Sequence, residues 1–432
     1  MFAQRLAPAI RPRTASQLPA LRCVNQSRTL LTKSISSTPA LVRNSRNDLK
    51  QGSISTLSSG PSRYRQFHVT SLLNEGATDS INQKTMVAFR YYPGETTAVR
   101  ETLPIPTPKP DEVVIKILAG GVCHSDLGIL DPSGSIGEWH NPFTLGHEGA
   151  GIITSLGSNV SKTYPNLKEG TYVGVLGPDP CFEPSCNMCS QGKDNLCTTT
   201  DEWYGIGRDG AWAEYCAVRA ICCIPVPGTP ETVPPEVVAV ATDAVLTPYH
   251  ALKTCDKLTA GQTIVVVGAG GLGHNAIQIA KNVLGAGTVV AVDPRETSLV
   301  GAKEAGADYG VSPDDLSSLI KEKKLTVDLV VDFVGTQTSF DTALGAVKPA
   351  GTIHIVGLMA PFVKLPLMQA VLKDLTVKTS FWGCKTELAE VLDAVAKGKI
   401  TPQVETKPLE QCLEVLKEFH EGKVKGRIAL VP

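Results

Sequence analysis

The sequence predicts an α/β protein in which an irregular β domain accompanies a doubly wound parallel sheet. Three observations carry that reading. Residues 85–120 alternate in polarity and are broken by prolines, as in "LPIPTPKPDEVVIKIL", the texture of short strands and turns. Residues 262–293, "QTIVVVGAGGLGHNAIQIAKNVLGAGTVVAVD", read as a buried strand, a glycine turn, a helix and a second strand. Strand-like and helical runs then alternate to about residue 382, the pattern of a parallel sheet with helical crossovers.

The elements follow in order from the N-terminus. The 432 residues are 42% apolar and 19% charged, ordinary values for a soluble globular enzyme, and enough for two to three domains. No apolar run reaches the ~18 residues that span a bilayer, so no membrane insertion is expected. Residues 1–74 hold nine Arg, two Lys and one acid, Asp48, a net charge of +10; residues 75–432 therefore carry −11. An acidic body argues against a nucleic-acid partner. The basic, Ser-rich, acid-poor leader reads as a disordered mitochondrial transit peptide. Near its end, in "RQFHVTSLLN", Arg65, Phe67 and Thr70 match a two-step processing pattern. A cut after Gln66 and loss of eight further residues leaves Glu75 as the mature N-terminus, and the expected location is the mitochondrial matrix.

After the leader, Pro- and Gly-rich loops link short strands to about residue 235. The strand–turn–helix–strand unit at 262–293 comes next. "SPDDLSSLIKEKK" starts a helix with Ser312 as N-cap and Pro313 in the first turn. "VDLVVDFVG", "GTIHIVGL" and "LTVKTSFW" are three more strands. The last 48 residues, 385–432, read as a helix, a loop and a final strand. No internal repeat is evident.

Gly268, Gly270 and Gly273, with Gly271 and Leu272 among them, form G-x-G-x-x-G directly after the strand "TIVVV" and open a helix. The first glycine permits a tight turn, the second lets backbone approach a pyrophosphate, and the third lets helix and strand pack closely. The helix N-terminus presents its positive end to the phosphates. Asp293 closes the following strand, twenty residues after Gly273. A carboxylate there accepts hydrogen bonds from a ribose diol and repels a 2′-phosphate, favouring NAD over NADP; Arg295 nearby works in the opposite sense. This is the Rossmann fingerprint in its full context.

Four of the twelve cysteines fall between Cys181 and Cys197, in "CFEPSCNMCSQGKDNLC". Clustered cysteines in a large chain with a nucleotide site favour metal over disulfides. Upstream stand "GVCHSDLG", with Cys123, and "GHEGAG", with His147 and Glu148. Cysteine with histidine suits zinc, and a catalytic zinc keeps one position for substrate. With these motifs, in this order and spacing, residues 85–432 resemble the zinc-containing medium-chain alcohol dehydrogenases.

The resemblance implies a GroES-like catalytic domain over 84–245 and 385–432, including a structural zinc lobe at 181–197, and a Rossmann NAD-binding domain over 246–384. It implies two zinc ions and NAD as cofactors. Cys123 and His147 are implied ligands of the catalytic zinc. The family's usual third cysteine is replaced: "TDAVLTPYHAL" places Asp243 at that position, four residues before Thr247. Aspartate binds zinc through oxygen. Cys255, twelve residues further on, is the disfavoured alternative, and Glu148 is read as an acid that orients or transiently replaces a ligand. Cys181, Cys186, Cys189 and Cys197 are the implied structural ligands. The first gap is longer than usual, so Glu183 is an alternative to Cys181. Thr247 is implied to pack on the nicotinamide, and His124 and Arg427 to meet the coenzyme phosphates.

The implied chemistry passes a hydride from the alcohol to NAD and a proton first to Ser125. Many members place a relay histidine three residues after that serine. Here the position is Gly128, so water or another group must finish the relay. Trp139 and His140 are candidates for the substrate cleft. His250, His274, His354 and His420 lack ligand spacing and are read as structural or surface, and Cys216, Cys222 and Cys223 as core. The expected function is reversible oxidation of a small-molecule alcohol to an aldehyde or ketone, in a homodimer or homotetramer. Two alternatives remain open on the sequence: a zinc-dependent reductase of conjugated C=C bonds, and a non-catalytic NAD-binding protein.

Overall fold

The computed structural model describes residues 85–432 apart from 134–136, 201 and 425. The leader and its processing site lie outside the described residues.

Strands dominate up to residue 225 because β-branched and aromatic residues alternate between prolines and glycines. Val99–Pro104, Thr85–Tyr91 and Phe143–Thr144 form a small antiparallel sheet. A larger sheet runs in the order Cys223–Pro225, Tyr172–Val175, Glu148–Leu156, Glu112–Val122, Arg427–Val431, Val404–Pro408, with Tyr215–Arg219 also paired to Glu112–Val122. Its central strand, EVVIKILAGGV, is apolar apart from Glu112 and Lys116 and is buried along nearly its whole length. Two registers in this sheet place functional residues. Ile428 lies opposite Val122, which sets Arg427 beside Cys123. Gly121 lies opposite Glu148, which brings His147 to the same strand end.

The second large sheet is all parallel, in the order Tyr309–Val311, Thr288–Val292, Thr263–Val267, Leu329–Asp332, Thr352–Ile355, Thr376–Thr379. Counted from Thr263–Val267, this is the 3-2-1-4-5-6 order of doubly wound dinucleotide-binding sheets. Its central strands are runs of buried Val, Ile and Leu, as expected where helices cover both faces.

Between the sheets runs an unbroken helical stretch, residues 235–255, opened by Pro235 at its first position. It contains two π turns, Ala241–Val245 and His250–Cys255. Such turns occur preferentially at functional sites, and the first holds Asp243.

Two expectations are corrected. The helix expected at Ser312 is Leu316–Lys323, with Asp315 as N-cap. Ser312 Oγ instead accepts from Asp315 N at 3.2 Å, closing a turn around Pro313 before the helix begins. The C-terminal segment holds two helices, Lys385–Ala396 and Cys412–His420, and two strands, Val404–Pro408 and Arg427–Val431. Val404–Pro408, VETKP, is a half-exposed edge strand with almost no apolar signal. The helix Cys412–His420 buries Cys412, Val415, Leu416 and Phe419, a helical spacing that the sequence did display. Cys216, Cys222 and Cys223 are buried, as expected.

Candidate active site

The strand Glu112–Val122 delivers Cys123 to the N-cap of the short helix His124–Ile129. Asp126, three residues on, turns back and accepts from Cys123 N at 2.8 Å through Oδ2. Its other oxygen, Oδ1, lies 3.0 Å from His147 Nδ1, and both side chains are buried. That contact leaves His147 Nε2 facing Asp243 Oδ2 at 3.7 Å. Cys123 Sγ lies 3.6 Å from the same oxygen. Asp243 Oδ1 accepts from Thr247 Oγ1 at 2.6 Å, one helical turn along. Cys123, His147, Glu148 and Asp243 each offer a ligand atom, all within 4.8 Å of one another. Cys255 lies elsewhere, against His250.

These separations suit zinc. Tetrahedral bonds of ~2.0–2.3 Å to N, O and S put ligand atoms about 3.3–3.8 Å apart, a range that includes the spacings of Asp243 from Cys123 and His147. The charge balance agrees. Thiol and carboxylates crowd a buried space opposite a single guanidinium, Arg427, whose Nη2 donates to Glu148 Oε1 and lies 3.3 Å from Asp243 Oδ2. Glu148 Oε2 is buried without a partner. Burial opposes charging of His147, but the Asp126 carboxylate raises its pKa well above the ordinary value. Burial pushes the Cys123 thiol up, and Arg427 and His147 more than offset this. Burial acts likewise on Asp243, yet the His147 hydrogen bond holds its carboxyl far down. Burial dominates at Glu148 and raises it well above the carboxylate range. A divalent cation satisfies the same thiolate and carboxylates without borrowed protons.

The cysteine lobe fits a second ion. Cys181 Sγ lies 3.7 Å from Cys189 Sγ and 3.6 Å from Cys197 Sγ, and Cys186 Sγ lies 4.0 Å from Cys197 Sγ. A tetrahedral ZnS₄ site has edges of about 3.8 Å. Cys181 completes this group rather than Glu183, whose backbone N donates to Cys181 Sγ. Burial opposes ionisation of Cys197, but the Cys181 and Thr199 donors bring its thiol down to about 6.

The glycine turn follows Thr263–Val267. Gly268 has φ +85°, a left-handed value that favours glycine. A Cβ on Gly273 would fall 1.9 Å from the Gly268 carbonyl oxygen, so only glycine lets helix and strand pack there. Leu272 is the N-cap of the helix Gly273–Gln278. Gly270 lies beside the Arg295 guanidinium, and Gly271 lies against the stem of Arg427. Arg427 thus bridges the coenzyme turn and the metal cluster. Asp293 is buried and accepts from Ala269 N at 3.0 Å, which pins the turn. Its oxygens also hold the Arg295 side chain at 3.0 and 3.1 Å.

Ser125 Oγ is 3.7 Å from Cys123 Sγ. His124 lies edge-on to Phe419, with Arg427 and Arg295 nearby; burial, then these two charges, lower its pKa. Trp139 joins an aromatic cluster with Tyr91 and Phe143, while His140 is exposed. The sequence reading gave no role to Asp126 or Trp382. Asp126 had a signal, since it belongs to the same Cys-His-Ser-Asp run. Trp382 packs edge-on against His147 at 5.4 Å and donates to Thr242 O; it arrives from a distant strand end that no spacing links to His147.

A cluster of Cys, His and Asp at the mouth of a dinucleotide turn defines a metal-assisted, nicotinamide-linked oxidoreductase. The family comparisons agree in both halves. Residues 109–228 match the alcohol dehydrogenase GroES-like domain, and residues 271–397 match the zinc-binding dehydrogenase domain. The chain is 34% identical to an alcohol dehydrogenase of Geobacillus stearothermophilus over 326 residues, covering 74% of this chain and 91% of that one. It is similar to the structure of acetophenone reductase from Geotrichum candidum in complex with NAD: 36% identity, TM-score 0.72, 81% of this chain and 98% of that one. It is also similar to the alcohol dehydrogenase from Aeropyrum pernix: 28% identity, TM-score 0.73, 80% of this chain and all of that one. The chain belongs to the zinc-binding medium-chain alcohol dehydrogenase family.

Proposed function

We propose that this chain is a zinc- and NAD-dependent alcohol dehydrogenase in which Cys123, His147 and Asp243 hold the catalytic zinc. The observation that carries the reading is the meeting of these three side chains beside the glycine turn. When bound, zinc supplies Lewis-acid polarisation of the alcohol oxygen and NAD accepts the hydride. The chain's own residues do the rest. Asp126 fixes the His147 ring through Nδ1, as outer-shell carboxylates do. Thr247 fixes the Asp243 carboxylate. Arg427 donates to Glu148 Oε1 and lies against Gly271, so Arg427, together with His124, would hold the coenzyme phosphates. Ser125 Oγ is the first acceptor of the alcohol proton. The aromatic side chains of Trp382 and Phe381 shape the apolar wall beside His147. Cys181, Cys186, Cys189 and Cys197 hold the structural zinc. The GroES-like part covers 84–245 and 385–432, and the Rossmann part 246–384.

Residues 1–74 are proposed to direct the chain to the mitochondrial matrix and to be removed there; their basic, acid-poor composition supports this. A homodimer or homotetramer is supported by apolar side chains exposed along 358–372, including Leu358, Phe362, Leu367, Met368, Val371 and Leu372, next to the edge strand Thr376–Thr379. Among the described residues no helix is long and apolar enough to cross a membrane. The test is a panel of primary, secondary and aryl-substituted alcohols on the chain starting at Glu75, with NAD and NADP side by side. Alcohol-dependent NAD reduction is expected. Reduction of conjugated C=C bonds alone favours the reductase alternative. Stoichiometric zinc with no turnover favours the non-catalytic one.

A further inference from the structure

The far end of the helical run 235–255 carries a second set of reactive side chains. Cys255 Sγ lies 3.4 Å from His250 Nε2. The other ring nitrogen, Nδ1, lies 2.9 and 3.0 Å from the two oxygens of Glu387. Nucleophile, base and orienting carboxylate thus stand in line, the arrangement that activates thiols and hydroxyls in unrelated enzymes. Glu387 is itself fixed: it accepts from Cys384 N at 2.7 Å and from Thr254 Oγ1. His250, Cys384 and Glu387 also lie close enough to hold a metal, but the contacts are those of a hydrogen-bonded relay. The carboxylate already serves three donors, and Cys384 Sγ donates to Asn195 Oδ1 at 3.2 Å. Burial opposes protonation of His250, yet Cys255 and Glu387 carry its pKa up to about 9. Its imidazole therefore stays protonated near neutral pH, paired with Glu387.

A second relay stands alongside. Ser380 Oγ lies 2.9 Å from His354 Nε2, and His354 Nδ1 lies 2.7 Å from Asp256 Oδ2. His354 is fully buried inside the parallel sheet and braces its strand to the helix end. Cys255 differs in being only half-buried, and in bearing a softer and more acidic nucleophile.

We propose that Cys255 is a covalent modification site for α,β-unsaturated carbonyl compounds, with His250 as proton shuttle and Glu387 as its positioning residue. The step balances. The thiol proton leaves to solvent, and the protonated His250 Nε2 faces the thiolate. Sγ bonds to the β-carbon, the C=C π pair moves to the α-carbon, and that carbon takes the proton from His250 Nε2, which solvent restores. The product is a thioether, and no oxidant or reductant is consumed. This chemistry stands apart from hydride transfer, so it does not depend on the alcohol dehydrogenase reading.

The test uses the full-length, zinc-loaded protein without coenzyme, incubated with 2-hexenal at neutral pH, with peptide mass spectrometry as readout. Cys255 should gain the adduct at least about tenfold faster than glutathione under the same conditions, a modest return for an imidazole placed 3.4 Å from the sulfur. His250→Gln should remove most of that advantage in a protein that still unfolds cooperatively and keeps both zinc ions, and Cys255→Ser should abolish the adduct. The native protein gives a check free of variants. The charged and titratable groups around the thiol are His250, Glu387, Cys384, the adjacent Asp256, and Lys378, which donates to Cys255 O at 2.8 Å. If His250 holds the proton, labelling should persist one pH unit below neutral, where a free thiol slows about tenfold. A Cys255 rate no greater than that of glutathione, a glutathione-like pH profile, or full reactivity in a folded His250→Gln protein would overturn the proposal.

Discussion

Asp126→Asn is the perturbation that most cleanly separates an oriented metal site from a mere grouping of ligands. The native carboxylate is wholly buried and accepts from two donors on opposite oxygens, Cys123 N at 2.8 Å and His147 Nδ1 at 3.0 Å. Asparagine keeps the shape but has one acceptor and one donor end. Whichever way it turns, one buried N–H meets an N–H. Leaving a buried donor unsatisfied costs ~1–3 kcal/mol. That corresponds to about 5–150-fold, a range that brackets the ~10–100-fold effect usual for removing an outer-shell partner of a metal-bound histidine. Either Cys123 shifts at its N-cap, or the His147 ring loses its fixed tautomer. Both outcomes disturb the catalytic zinc and spare the cysteine lobe. The assay is chelator competition followed by metal analysis, with kcat/KM measured on the zinc-replete protein. One of the two zincs should become about 10–100-fold easier to remove, with a matching loss of kcat/KM. A folded Asp126→Asn protein with native zinc retention and native turnover would refute the reasoning.

Other consequences can be measured in the same preparation. Ser125→Ala should lower alcohol oxidation by about 100-fold, the low end of general acid–base effects, whereas Gly128→His should raise it severalfold at low pH; identical pH–rate profiles for native and Gly128→His proteins would show that protons leave by another path. Asp293→Gly removes both oxygens that restrain Arg295, so NAD efficiency should fall and NADP efficiency rise; unchanged preference would mean another residue reads the ribose. The pKa of His250 in the folded protein stands near 9, above its ordinary 6.5, so the ion pair with Glu387 stabilises fully below pH 6.5 and is lost as pH rises through 9. The melting-temperature gap between native and His250→Gln proteins should therefore shrink over that window; a gap that widens with pH would contradict the assignment.

Elements with strong periodicity or motif content were legible in the sequence. Thr263–Val267, the glycine turn and Asp293 form one local unit, and each glycine's role follows from backbone sterics alone. The cysteine lobe is likewise contiguous, and even across its long first gap Cys181 was readable as one of the four grouped cysteines. Asp243 was legible through its offset from Thr247, although not the hydrogen bond between them. What escaped depends on distant pairing. Arg427 reaches Glu148 because the last strand docks on Glu112–Val122. Trp382 reaches His147 from the end of the parallel sheet. The strand Val404–Pro408 lies at an edge and carries little apolar signal. His250 is buried, in line with a structural reading, but its bond to Glu387, 137 residues away, had no signal in the sequence.

The central claim is that Asp243 replaces the usual third cysteine as a ligand of the catalytic zinc. Zinc content of Asp243→Asn after a chelator wash tests it most directly. The native protein should retain two zinc ions per chain. Asp243→Asn should retain only the one in the cysteine lobe, bind NAD normally and lose alcohol oxidation. Two retained zinc ions with native turnover would contradict the account and move the third ligand to Glu148.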